Sequence, residues 1–202
     1  MCFFFGLPAT AAVIKKRYNK PFKTPERFSP SDKFNGFAHP QTPIITTDDS
    51  QYITMETWGL IPHWAKDASF QKNTLNARIE TLEQLPSFKE AVANRCLIPA
   101  TCFYEWRHEG TQKKPYRISS TEDEIFSLAG IYSDWTNPAT GVSQRTYSII
   151  TTEANACMQF IHNTKKRMPV ILHTQDETSW LNGFPIPHFA YPYSCNLLGL
   201  PI

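Results

Sequence analysis

The chain has 202 residues, 41% apolar and 13% aromatic, with a formal net charge of +2. That length and composition fit one ordinary domain with its own core and exclude a disordered chain. No apolar run approaches the ~20 residues of a spanning helix, the first residues lack the basic flank of a secretory signal, and so small a charge does not by itself mark a nucleic-acid binder; a cytoplasmic location without membrane contact is expected.

Residues 1–7 read as a short apolar strand. Residues 8–36 read as irregular, because Pro21, Pro25 and Pro30 would interrupt a long helix. Ile44 to Thr47 is β-branched and fits a strand, and Glu56 to Leu60 fits another that stops at Pro62. Ala77 to Leu85 and Ser87 to Ala93 read as helices, with Pro86 placed to start the second. Strands follow at Arg95 to Ile98, Cys102 to Arg107, Tyr116 to Ile118, Ile125 to Tyr132 and Arg145 to Thr151. Ala154 to Ile161 reads as a helix, Val170 to Leu172 as a short strand, and Thr174 to Leu181 as a helix capped by Thr174. Residues 182–202, with Pro185, Pro187, Pro192 and Pro201, read as an extended C-terminal strap.

Short strands outnumber helices and adjoin one another in sequence. The expected fold is therefore α+β, a single domain with a curved, mostly antiparallel, barrel-like sheet flanked by short helices. There is no βαβ alternation and no glycine-rich phosphate loop, so no nucleotide cofactor is expected. Cys2, Cys96, Cys102, Cys157 and Cys195 form no CxxC pair. His39, His63, His108, His173 and His188 have no metal-ligand spacing to one another or to a carboxylate. Reduced thiols, no disulfide framework and no metal site are expected.

Several residues can carry chemistry. Cys2 is either a small residue at a strand start or, once Met1 is removed, a residue with a thiol and a free α-amine on adjacent carbons. The amine titrates near 7.7–8.0, attacks an aldehyde to give a Schiff base, and leaves the thiol placed to close a five-membered thiazolidine. Asn76 either caps a following helix or hydrogen-bonds a sugar oxygen. Arg78 can hold a phosphate in bidentate fashion. Glu105, alone among Phe103, Tyr104 and Trp106, is either an outward strand residue or a buried acid with a raised pKa. His162, after the helix ending at Ile161, is either surface that suits the helix dipole or an acid–base group. Trp64, beside Pro62 and His63, can stack on an exposed base. The runs Lys15–Arg17 and Lys165–Arg167 read as solvated faces on charge alone.

Taken in order, these segments resemble the SOS response-associated peptidase family, whose members act as abasic-site shields on single-stranded DNA. The similar stretches are Met1-Cys2, Ala38-His39-Pro40-Gln41, Trp58-Gly59-Leu60-Ile61-Pro62-His63-Trp64 and Asn76-Ala77-Arg78-Ile79-Glu80-Thr81. They continue with Arg95 to Ala100 running into Phe103-Tyr104-Glu105-Trp106, Ala129-Gly130-Ile131-Tyr132, Ile150 to Asn155 and Arg167 to Leu172. The resemblance implies that Cys2 forms a thiazolidine with a ring-opened abasic sugar. It further implies that Asn76 holds the sugar, Arg78 holds phosphate, Glu105 shuttles protons and His162 acts at the sugar oxygen. Trp64 and Pro40 would wedge at a single/double-strand junction. Self-processing and strand-cleaving lyase activities are implied too, in a monomer without cofactor. Two departures stand out. Phe3-Phe4 replaces the family's Gly-Arg, and a longer loop separates His162 from Arg167-Met168-Pro169, adding Lys165 and Lys166 as substitutes for the lost charge. Two other readings remain: a cysteine peptidase acting on other proteins through Cys2, His162 and Glu105, and a non-catalytic single-strand binder.

Overall fold

The structure, a computed structural model, describes residues 2–202. In chain order the elements are β1 (Phe4–Leu7), α1 (Ala11–Tyr18), β2 (Ser31–Asn35), β3 (Gln41–Thr46), β4 (Thr54–Trp58), β5 (Asn76–Arg78), β6 (Arg95–Ala100), β7 (Cys102–Glu109), β8 (Gln112–Ser120) and β9 (Phe126–Thr136). They continue with β10 (Ser143–Glu153), α2 (Ala156–Ile161), β11 (Arg167–Pro169), β12 (Ile171–Leu172), α3 (Glu177–Leu181) and β13 (Leu197–Pro201). The fold is α+β, as the strand-rich sequence predicts.

Two sheets organise it. One closes on itself: β4, β3, β6, β9 and β10 pair in that order, and β10 returns to β4. Every pairing in this ring is antiparallel except the last, where Thr146 lies beside Thr57 and Tyr147 beside Trp58 in parallel. Closure removes the free edges that an open sheet would expose. The second sheet is antiparallel throughout, in the order β13-β8-β7-β1-β2. The sheets meet at buried aromatics. Phe5 of β1 packs 5.2 Å from Trp58 of β4. Trp58 in turn stacks on Tyr147 and donates its indole N–H to the Leu75 carbonyl at 2.9 Å.

Gly130 marks where the barrel wall is tightest. A methyl group there would lie 2.6 Å from Ile98 Cδ1 and 2.7 Å from Cys96 Sγ. Gly130→Ala is expected to destabilise the fold by about 1–3 kcal/mol through overpacking, read as a lowered urea midpoint with an unchanged slope.

Several local expectations are corrected. Residues 8–36 contain helix α1 and strand β2. Thr10 caps α1 by accepting from the Val13 amide, and Asn19 ends it in the left-handed conformation at φ 53. Pro21 thus follows the helix rather than breaking it, Pro25 opens a short 3-10 turn, and Pro30 precedes β2. Residues 77–85 are not a helix. Asn76–Arg78 pairs in parallel with β10, and the Ile79 amide donates to the Thr151 carbonyl at 2.9 Å. Those ladder bonds use the backbone groups a helix would have needed. The predicted helix at 87–93 is only a 3-10 turn at Lys89–Ala91. Thr174 does not cap α3, which starts at Glu177; its hydroxyl instead donates to Asp123. Arg17 is not part of a solvated face, because it pairs with Glu177 at 2.7 Å and ties α1 to α3. The tail carries a 3-10 turn at Ile186–Phe189 and ends as β13 on the edge of β8. Among the described residues no helix is long and apolar enough to cross a membrane.

Candidate active site around Cys2

Cys2 is fully buried in the core cluster that also contains Phe5, Trp58 and Leu75. Its carbonyl accepts a hydrogen bond of 2.9 Å from Asn76 Nδ2, and its thiol faces the Phe4 carbonyl at 3.7 Å. Burial pushes the thiol well above its ordinary pKa, and the negative charge of Glu105 pushes the same way. Asn76 is set by β5, where it lies level with Ile149 of β10. Its Oδ1 is buried and accepts no hydrogen bond from the described residues. An acceptor left in that condition usually awaits a donor from a ligand or water. Phe3, Lys72, Asn73, Leu75 and Asn76 line an opening of about 190 Å³ beside it.

Glu105 stands on β7 and is 5% exposed. Burial raises its carboxyl above the ordinary range. His162 ends α2, which Asn155 starts by capping the Met158 amide at 3.0 Å. The imidazole is 7% exposed, and its Nε2 lies 3.9 Å from Glu105 Oε2. Its Nδ1 is 2.8 Å from the Arg167 carbonyl. A carbonyl can only accept, so Nδ1 carries the proton and Nε2 presents its lone pair towards Glu105. Burial pulls the imidazole down to about 4, so it is neutral at pH 7. The pair opens onto a second cavity, of about 330 Å³, whose walls include Phe3, Phe4, Trp106 and His108. Phe3 belongs to both openings and stands between them.

The depressed imidazole has a consequence for stability. The unfolded chain takes up this proton near the reference value of 6.5, the folded chain only near 4. The His162 contribution is therefore present above pH 6.5 and is lost as pH falls through that window to 4. His162→Gln is expected to flatten the loss of urea stability across this range. An unchanged pH slope would contradict the burial of a neutral imidazole.

The sequence profile of the family described as SOS response associated peptidase (SRAP) matches residues 1–188. The chain belongs to this family. Among similar proteins, the abasic site processing protein YoqW of Bacillus subtilis is 46% identical over 141 residues, covering 69% of this chain and 61% of that protein. The abasic site processing protein HMCES of Gallus gallus is 32% identical over 165 residues, covering 69% of this chain and 48% of that protein. The chain thus spans about half to three fifths of these curated relatives. A solved protein from Bacteroides thetaiotaomicron superposes with a TM-score of 0.91 at 36% identity, covering 100% of this chain and 92% of that one. One from Bordetella bronchiseptica superposes at 0.84 and 24% identity, covering 100% and 99%, a likeness of fold.

The family motifs fall unevenly around the site. Cys2, Asn76, Glu105 and His162 come together. The alternative roles of Asn76 as a helix cap, Glu105 as an outward residue and His162 as helix-end surface are all excluded by their burial and partners. The longer loop begins directly after His162. It folds back through Lys166, at φ 49, whose amide donates to the His162 carbonyl at 2.8 Å. Lys165 and Lys166 are exposed on that turn. Arg78 is exposed on β5, two residues from Asn76 and on the same strand face. Trp64, 44% exposed, leans edge-on against Phe70 and lines a different cleft, with Pro62, His63 and Glu90. Pro40 is half-buried ahead of β3, and its carbonyl accepts from the Trp58 amide.

Two arrangements escape the sequence. Glu122, His173 and Cys195 place three donor atoms of metal-binding type within 4.8 Å of one another, so His173 does have a carboxylate neighbour. Hydrogen bonds account for the contacts there: Glu122 receives Asn196 and faces His173 at 3.2 Å, and Cys195 donates to the Ile171 carbonyl. The contacts fix the tail to the β8–β9 turn. The second is a group of rings beside Cys2. Phe37, 55% exposed, packs on Phe3 at 4.8 Å, and Phe4 meets the edge of Trp106 at 5.3 Å. The sequence signal for Phe37 was present, since an aromatic directly after Asn35-Gly36 sits on a turn and not in a strand.

Proposed function

We propose that this protein captures abasic sites in single-stranded DNA by forming a thiazolidine through the amine and thiol of Cys2. Met1 lies outside the described residues, and its removal is part of the proposal. The observation that carries the reading is the hold of Asn76 on Cys2 beside a buried acid–base pair. Asn76 holds the Cys2 carbonyl, while the Glu105–His162 pair faces the neighbouring cavity.

The chemistry follows from the protonation states. The abasic sugar is mostly a closed hemiacetal. Neutral His162 accepts the anomeric hydroxyl proton through Nε2, and the Glu105 carboxyl, whose hold on a proton is strengthened by burial, acts in its protonated form and gives its proton to the ring oxygen. The ring C–O bond breaks and an aldehyde results. The neutral Cys2 amine attacks that carbon; the oxygen takes back the proton held by His162, and the nitrogen passes one to Glu105. Glu105 then protonates the carbinolamine hydroxyl so that it leaves as water, and recovers a proton from the iminium nitrogen. The Cys2 S–H then adds across the C=N bond, sulfur to carbon and proton to nitrogen. Aldehyde and aminothiol give thiazolidine and one water. Asn76 Oδ1, without a donor among the described residues, accepts from a sugar hydroxyl. Arg78 contacts phosphate, with Lys165 and Lys166 as further cations on the rim, and Trp64 and Pro40 meet DNA farther along, at a single/double-strand junction. The reverse of these steps would release the strand, and β-elimination from the imine would cleave it. Removal of Met1 by self-processing would use the same acid and base.

A peptidase acting in trans is less well supported. Its nucleophile would be a thiolate, which needs a lowered pKa, whereas burial raises that of Cys2. The test is a crosslinking assay with an abasic oligonucleotide, read on a denaturing gel. An adduct that survives heating is expected. Hydrolysis of peptides in trans without any DNA adduct would overturn the proposal.

A further inference from the structure

Next to Cys2 the surface carries rings that the chemistry above does not use. Phe37 sits on the 3-10 turn Gly36–Ala38, which is fixed at several points. Asn35 caps it by accepting from the Phe37 amide at 3.0 Å, the Gly36 amide donates to the Phe3 carbonyl at 2.9 Å, and the His39 ring holds the Trp58 carbonyl at 2.9 Å. Gly36 packs closely under the turn, since a Cβ there would lie 3.0–3.2 Å from the Trp58 ring. Phe37 is therefore presented to solvent by a rigid turn, without a polar group to justify it. It leans on Phe3 at an interplanar angle of 34° and on the edge of Phe4 at 6.5 Å. Behind it, Lys33 of β2 places Nζ 4.7 Å from Phe4, 4.8 Å from Tyr104 and 5.1 Å from Trp106. Among the described residues no carboxylate pairs with this ammonium.

A flat apolar face beside a fixed, unneutralised cation fits a particular partner. Nucleobases in a single strand offer π faces, and each is tethered to a phosphate. In a duplex those faces are already stacked. We infer that Phe37, backed by Phe3, is a stacking platform for an unpaired base near the lesion, and that Lys33, held over Phe4, Tyr104 and Trp106, contacts its phosphate. This inference rests on the proposed single-strand function. It places the cation missing at position 4 on the neighbouring strand, and not in the Lys165–Lys166 loop.

The test uses the full chain and an intact, fluorescently labelled oligonucleotide without any abasic site, so that no covalent step intervenes. Phe37→Ala should weaken single-strand binding by about ten-fold, the worth of one base–aromatic stack, and Phe37→Trp should restore it. Lys33→Gln should reduce the slope of log affinity against log salt by about 0.7, one single-strand phosphate. Unchanged melting temperatures would exclude unfolding as the cause. If the parent protein binds the strand and both variants bind it equally well, the platform is overturned while the proposed function stands. If the parent binds no single strand, both fall. If Phe37→Ala weakens duplex and single-strand binding alike, stacking on unpaired bases is overturned.

Discussion

Cys2→Ala should abolish the heat-stable DNA adduct, and Cys2→Ser should uncouple its two steps. Both variants keep a free α-amine once Met1 is gone, so both can still form the imine. Neither has a sulfur to close the ring. Borohydride reduces a C=N bond to a stable amine, so both variants should be trapped on the strand when it is added and released on heating when it is not. The parent protein should survive heating in either case. Burial of the thiol fits this division of labour. A protonated, desolvated thiol is a poor first nucleophile but is well placed to add to an imine formed on the same residue. If the alanine variant gives full heat-stable yield without reductant, the thiol is not part of the product.

The second large effect is expected at Glu105. Glu105→Gln preserves shape and removes the proton donor. Adduct formation should slow by about 10²–10⁴-fold, the range of general acid–base catalysis. The pH profile separates this from a packing defect. Forward rate needs a neutral amine, which increases as pH rises towards the reference range of about 7.7–8.0. It also needs protonated Glu105, which decreases as pH rises through a carboxyl pKa that burial has moved upward. The parent should give a bell. The glutamine variant should lose only the descending limb. A variant that is slower by a constant factor at every pH would assign Glu105 a structural role.

Much of this was legible in the sequence, and the gaps have physical causes. The strands at Arg95–Ala100, Cys102–Glu109, Phe126–Thr136 and Ser143–Glu153 carry the β-branched and aromatic residues that suit a pleated, buried surface. The barrel-like curvature was legible, but the strands that close it were not, because the parallel contact of Thr57 and Trp58 with Thr146 and Tyr147 joins segments far apart in the chain. The same distance misled the reading of residues 77–85, whose local propensity is helical but whose backbone is claimed by β10. Helix α1 was hidden by prolines that proved to be its punctuation. In the site, Glu105 could be singled out by residue type and Cys2 by position. What no spacing reveals is that Asn76 grips Cys2 across 74 residues, or that Glu105 and His162 face each other. Trp64 shows the converse: a sequence setting that suggests stacking, in a cleft apart from the one Glu105 and His162 share.

The central claim is that the reactive unit is the amine and thiol of Cys2 together. Intact mass spectrometry of the purified protein, alone and after incubation with an abasic oligonucleotide, tests it in one experiment. The expected result is a protein mass lacking Met1, and an adduct equal to protein plus oligonucleotide minus one water. Full adduct formation by protein that retains Met1, or no adduct from protein that has lost it, would contradict the account.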